Sequence, residues 1–300
     1  MPRETAPKHP TALPSLTQTR SGWLVEANGY RLEMPGDEYL GARPYARFSD
    51  AGSVSWSMVS LVASVADVTR GDDTIEFLPL SITETAGLVT IQVPQRSATW
   101  DSKIVTLRCS AHALEISVSV QGSGRIGDLT MLGGTAILAS GASGVFRSSI
   151  EFGSLFVPVP TGPVSFVRSS AAGAVLGVTG DADAGRLHGI FSPPPLVYGL
   201  GRSAPTSPTS LTGSDWLGIS VVDAVDRLTF TTFAYDPLDG GFLIRFAYEG
   251  HSTVNGSWSS PQLIIRPADD ALEIIDQHRK QLEAAGFSST STRVPADSWW

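Results

Sequence analysis

Cysteine is nearly absent: Cys109 is the only one in 300 residues. No disulfide can form within the chain, which fits a reducing compartment or a secreted protein that needs no covalent staples. Cys109 sits in the alternating run Ile104 to Leu114, with no base beside it in sequence. That pattern describes a buried structural thiol rather than a nucleophile. Charge is also scarce. Charged residues make up 17% of the chain and the formal net charge is -8, so there is no surplus of Lys and Arg to neutralise a phosphate backbone, and nucleic acid is not an expected partner. The five histidines, His9, His112, His188, His251 and His278, are scattered, and no two have the one-turn or alternate-residue spacing of a zinc site. No metal and no cofactor are expected.

Long apolar runs are missing as well. None reaches the length of a bilayer span, so no membrane partner is expected. Residues 1–16 carry Pro2, Pro7, Pro10 and Pro14 but no apolar h-region, and the simplest location on that reading is cytoplasmic. No repeat of fixed period is visible. No strand–helix–strand alternation occurs before Ala271, which excludes a wound parallel sheet. The five glycines between Gly122 and Gly134 are followed by neither a helix nor the Lys-Ser/Thr pair of a phosphate loop, and no Gly-x-Ser-x-Gly elbow occurs there.

What remains is the text of a β protein. At 42% hydrophobic residues, with 30 glycines and 20 prolines, the chain can bury a sizeable core in many short segments divided by tight turns. Residues 1–20 read as a disordered, Pro-punctuated leader. From Gly22 the pattern changes: Trp23 to Glu26 and Tyr30 to Glu33 flank Asn28-Gly29, a dipeptide that tolerates the positive φ of hairpin turns. Strands are expected over Val54 to Val68, Thr74 to Leu80, Leu88 to Val93 and Ile104 to Leu107. Leu114 to Val120 alternates most plainly, with Leu114, Ile116, Val118 and Val120 on one face. A Gly-rich bend is expected to end that strand at Gly122.

Thr135 to Leu138, Phe146 to Val159, Val164 to Val167 and Ala174 to Val178 continue the series. Pro193 to Pro195 reads as a stiff extended piece and Ser203 to Ser214 as a loop. The last β block comprises Trp216 to Val222, Leu228 to Tyr235, Gly241 to Tyr248 and Gln262 to Ile265, with turns at Glu249 to His251 and Asn255-Gly256 among others. The fold class is therefore all-β: a large antiparallel β-supersandwich over residues 21–267. A linker α-helix and junction follow over 268–300. In that helix Ala271, Leu272, Ile274, Ile275, His278, Leu282 and Ala285 share one face, Asp270 with Glu273 reads as a capping pair, and Gly286 closes it. Trp299 and Trp300 are too apolar for an unpartnered tail, and they are expected with Ile274, Ile275 and Leu282 to face a further domain or fold back on the sandwich.

No catalytic set is legible. The acidic pairs Asp72/Asp73, Asp181/Asp183, Asp223/Asp226, Asp236/Asp239 and Asp269/Asp270 all fall in expected turns or at the helix cap, where Asp serves local backbone bonding. Aromatics give the remaining signal. Trp56, Trp100, Trp216, Trp258 and Tyr248 could offer flat faces to sugar rings, most of them serving as core instead. Tyr248, His251 and Trp258, beside turns and polar groups, are the candidate substrate-binding residues.

Three stretches carry a resemblance. Leu114 to Gly134 runs into Gly-Asp-Leu-Thr-Met-Leu-Gly-Gly, Leu228 to Trp258 contains Phe-Ala-Tyr-Glu-Gly-His and Gly-Ser-Trp, and the exit helix is followed by Trp299-Trp300. In the order of these elements the chain resembles the N-terminal, galactose-mutarotase-like β-supersandwich of the alpha-glycosidase clan that holds glycoside hydrolase families 31 and 36. The resemblance implies a non-catalytic domain of a retaining alpha-glycoside hydrolase. Such a domain packs on a C-terminal (β/α)8 barrel of the same polypeptide, lends a loop to the carbohydrate site, and leaves both catalytic aspartates on the barrel. A loop near Pro193 to Arg202 or Gly250 to Trp258 would be the contributor. Two rival readings stand beside it: a freestanding carbohydrate-binding or lectin-like module, and an interaction scaffold without ligand.

Overall fold

The structure, a computed structural model, describes residues 13–51, 55–139, 141, 143–150, 182–183, 186–187, 197–201, 216–224, 227, 229–230, 232–236, 241–269 and 271–287. The expectations for residues 1–12, 151–178, 193–195 and 203–214, and for Trp299 and Trp300, lie outside them.

The fold is an all-β sandwich, and its first sheet is a meander. β1 (Ser15–Thr19), β2 (Gly22–Glu26), β3 (Tyr30–Pro35), β4 (Tyr45–Asp50) and β5 (Ser55–Ser60) pair antiparallel in chain order, with a single helical turn, α1 (Asp37–Leu40), between β3 and β4. The Asn28-Gly29 hairpin forms where the sequence places it, closed by the Ala27 N–H donating to the Tyr30 carbonyl at 2.9 Å. Residues 15–19, read as part of the leader, instead form β1, which pairs along its whole length with β2. Backbone pairing on a preformed hairpin edge explains this, since β1 itself is largely exposed and carries no apolar pattern to read.

The second sheet is larger. β6 (Ser64–Asp67), β7 (Asp73–Phe77), β8 (Ser81–Thr85), β9 (Leu88–Ser97), β10 (Ser102–Ser110) and β11 (Leu114–Met131) build one end. β8, β9, β10 and β11 run antiparallel in order, and β7 pairs with β9. β12 (Gly133–Ile137) pairs with β13 (Ser143–Ile150) and lies parallel to β7, a departure from a purely antiparallel sandwich. β13 also touches β5 and so joins the two sheets.

β14 (Ala182–Asp183), β15 (Arg186–Leu187), β16 (Val197–Gly201), β17 (Trp216–Val222), β18 (Thr232–Asp236), β19 (Gly241–Ser259) and β20 (Gln262–Ala268) complete the described strands. The order β16, β17, β20, β11, β19, β18 runs across this end. Alternation in β9, β10 and β11 sends Val89, Ile91, Val93, Val105, Leu107, Ile116 and Val118 into one core with Val25, Leu32, Phe48 and Val59 of the first sheet. Tyr30 pins the layers together: its ring stacks on Phe48 at 5.1 Å, and its hydroxyl donates to the carbonyls of Ser110 at 2.8 Å and Ala113 at 2.9 Å. Cys109 is fully buried beside it, its thiol pushed up to about 12, chiefly by burial, so it stays protonated and inert.

Two expected turns are corrected. β11 does not bend at Gly122 but continues to Met131, and Asn255-Gly256 lies inside β19, paired with Ser123 and Gly122 of β11. Glycines that read locally as turn formers are here paired in a ladder between distant strands, a tertiary effect invisible in the local text.

The helix α2 (Ala271–Ala284) forms as the periodicity requires. Glu273 accepts from the Asp269 N–H at 2.8 Å. At the other end Gly286 takes φ 93°, its N–H donating to the Glu283 carbonyl at 3.1 Å and that of Phe287 to Leu282 at 2.9 Å, a Schellman closure. α2 lies against β16 and β17. Ile274 is 2% exposed and so close to Gly218 that a Cβ there would stand 2.9 Å from an Ile274 methyl; Ile275 packs on the same core. These two residues therefore fold back on the sandwich and do not present an apolar patch.

Candidate functional site

The site grows out of an irregularity in β19. Ala247 is paired with Asp128 and Ser252 with Ile126, so the four residues 248 to 251 stand opposite Gly127 alone. Such an excess bends a strand and re-aims its side chains. Glu249 at φ 50° and Gly250 at φ 83° absorb the bend. The local Glu-Gly-His text, read as a turn, is this bulge.

On one side of the bulge Tyr248 enters the core, 1% exposed, edge-on to Trp258 with ring centres 5.6 Å apart and to Phe230 at 6.0 Å. Trp258, paired with Val120, is half-buried. Together they form part of a concavity of about 420 Å³ whose other walls include Asp223, Arg227, Thr229, Ser252 and Ser257. Asp223 and Arg227 face each other at 3.6 Å, and Arg227 donates to the Ser259 carbonyl at 2.9 Å. The hydroxyls of Thr229 and Ser252 are 2.6 Å apart and bonded to each other. The Tyr248 hydroxyl is shut from solvent and has no hydrogen-bond partner. Burial pushes its phenol upward; nearby Asp223 adds to this and Arg227 opposes it, so the group remains a donor in want of an acceptor.

Of the three residues read from sequence, the structure brings Tyr248 and Trp258 together, while His251 stands exposed on the bulge and does not line the concavity. Sequence reasoning missed Arg227, Thr229 and Ser252. Asp223 was noticed only as half of an acidic pair; its neighbour in space is a base, and Asp226 lies outside the described residues.

A second polar assembly lies inside the sandwich. Lys103 continues the inward row of Val105, Leu107 and Cys109 on β10, and it and Asp72 both have fully buried side chains. Lys103 Nζ donates to Asp72 Oδ2 at 2.7 Å and to the Ala63 carbonyl at 2.7 Å. Asp72 accepts also from the Val65 N–H at 2.9 Å and the Ser97 hydroxyl at 2.6 Å. Beside them Thr74 donates to Gln95 Oε1 at 2.7 Å, and Gln95 Nε2 to the Leu61 carbonyl at 2.6 Å. Burial pushes the Lys103 ammonium downward and Asp72 holds it up. Asp72, expected in a turn for local backbone bonding, is thus a core anchor. Trp100 is core too, its indole N–H donating to the Val65 carbonyl at 2.6 Å.

A second concavity, of about 430 Å³, lies at the start of α2 between Asn28, His112, Arg266 and Gln277. Two carboxylates line it, Asp269 and Glu273, and Glu273 is already engaged by the Asp269 N–H and the Gln277 amide. Among the described residues no three His, Cys, Asp or Glu gather as metal ligands. No protein-family model matches the sequence, and no curated protein matches it.

Proposed function

We propose that the chain is the non-catalytic β-supersandwich of a retaining alpha-glycoside hydrolase, packing on a (β/α)8 barrel of the same polypeptide and helping to shape its sugar pocket. The observation that supports this reading is how the described ionisable groups are used inside the sandwich. Lys103 and Asp72 are locked to each other and to backbone, Tyr30 bridges two carbonyls, and Cys109 is sealed in the core. Tyr30 ties one sheet to the other, and Lys103 and Asp72 fasten β6 and the start of β7 to β9 and β10 within the second sheet. All four serve the fold, which suits a chain whose acid–base partners for glycoside hydrolysis, two facing carboxyl groups, lie elsewhere in the enzyme. The docked exit helix after β20 is the element that would carry the chain towards it.

The test is enzymatic. The chain alone is expected to release no phenol from aryl alpha-glycosides, and measurable turnover by it overturns the reading. So does a stop codon directly after Trp300, since the barrel is required in the same polypeptide.

A second reading, a freestanding carbohydrate-binding module, is favoured by the aromatic and hydroxyl-lined concavity at Tyr248 and Trp258. A scaffold without ligand has no specific observation in its favour.

A further inference from the structure

The lining of the β19 concavity defines what can fill it. Its described charged residues, Asp223 and Arg227, are matched to each other at 3.6 Å. Among the described residues, therefore, the site has no surplus positive charge for a phosphate or carboxylate ligand and no surplus negative charge for an amine. What it does offer is both donors and acceptors, from the Asp–Arg pair and the Thr229, Ser252, Thr253 and Ser257 hydroxyls, set around a half-buried indole. A ligand that satisfies such a rim must itself carry many groups that both donate and accept, and it must have one apolar face to lie on the ring.

Tyr248 adds an independent mark. Its hydroxyl is a proton donor sealed without an acceptor, a state that costs free energy until one arrives. Elsewhere in the core the comparable phenol, Tyr30, has two carbonyl acceptors. Asp223 and Arg227, whose charges act on that phenol, line the same concavity, so the hydroxyl lies beside the pair that a ligand there would meet. A volume of about 420 Å³ is in the range of small-molecule sites and too small for a folded partner.

We infer that the concavity between the bulge of β19 and Asp223, Arg227 and Thr229 is a binding site for an uncharged pyranose, which lies on Trp258, is read by the Asp223–Arg227 pair and the hydroxyl rim, and gives Tyr248 its missing acceptor. The inference borrows from the proposed function only the choice of sugars. It concerns binding by this chain, and it holds or fails whether or not a barrel is attached.

The experiment is calorimetric titration of the full chain with methyl alpha-D-glucopyranoside, methyl alpha-D-galactopyranoside and maltose, alongside glucose 6-phosphate and glucuronate. Binding of at least one neutral sugar, with neither anion bound more tightly than it, is expected. Trp258→Ala should weaken that binding at least tenfold and Tyr248→Phe about fivefold, with the Tyr248→Phe protein unfolding at an unchanged denaturant midpoint. Because Trp258 also packs on the core, Asp223→Asn serves as a second variant and should lower affinity without loss of fold. Three results overturn the inference: no neutral sugar bound at tens of millimolar, an anion preferred, or neutral-sugar affinity unchanged in both Tyr248→Phe and Asp223→Asn. Failure of the alpha-glycosidase reading shows instead as turnover by the chain alone, or as a reading frame without a barrel, and neither touches these titrations.

Discussion

Two buried polar places in this sandwich differ in one respect. At Lys103 and Asp72 each charge has its counter-charge, and Asp72 accepts from an ammonium, a hydroxyl and a backbone N–H inside the core. At Tyr248 a donor is sealed without a partner, at the floor of an open concavity. A closed and complete network is a structural anchor, whose members cannot be removed singly because the remainder would be left charged in low dielectric. An incomplete one beside a concavity has room for a ligand. The contrast separates holding from binding among residues that look equally conspicuous by burial alone.

The comparison can be broken most sharply at its closed end. Lys103→Met leaves the Asp72 carboxylate buried without its cation and is expected to cost about 3–5 kcal/mol, read from urea unfolding. Sugar affinity of the fraction that remains folded should be unchanged. A loss below about 1 kcal/mol would mean that the pair is not the anchor described here.

The next effect comes from a third buried group. His278, on the inner face of α2, is 8% exposed and its Nδ1 has no partner. Burial lowers its pKa to about 4, against 6.5 for the ordinary group. The unfolded chain therefore takes up the proton first. Stability from the neutral ring is complete above the unfolded value, declines as pH falls, and is lost by the folded value, a contribution of about 2 kcal/mol between about pH 6.5 and 5. Denaturation midpoints at pH 7 and about pH 5 should differ in the native chain, and that difference should shrink by this amount in His278→Gln. Unlike Tyr248, His278 does not line the concavity, so sugar should not suppress the effect.

Smaller still is the expected effect at the open end. Trp258→Ala should reduce sugar affinity at least tenfold, about 1.4 kcal/mol in binding. Tyr248→Phe should leave stability within about 0.5 kcal/mol of the native chain, because the lost hydroxyl had no bond to lose, while still weakening binding. If Tyr248→Phe destabilised as Lys103→Met does, the contrast between the two places would collapse.

Much of the architecture was legible. Alternation from Ile104 to Val120 marks β10 and the first part of β11, Asn28-Gly29 marks the hairpin, and the spacing from Ala271 to Ala285 marks α2, since in each case local propensity and burial agree. Tyr45 to Asp50 and Ser81 to Thr85 escaped notice as strands because they lean on neighbours already in the sheet. The signal for Lys103 was present but unread: a lysine in the inward register of an alternating strand requires a buried partner. Its partner, Asp72, lies 31 residues earlier and cannot be named from spacing.

By itself, then, the sequence determined that this chain builds a sheet core without disulfides, where its clearest strands run, and that a capped helix follows the last strand, because periodicity and caps are local properties. Only the tertiary structure decided that Gly122 and Gly256 continue a ladder, that Ile274 seats on Gly218, and that Tyr248 and Trp258 share a concavity with Asp223 and Arg227 while His251 does not. Those outcomes depend on which strands lie side by side and on a bulge that re-aims one of them, and pairing between distant segments leaves no mark in any single window of sequence.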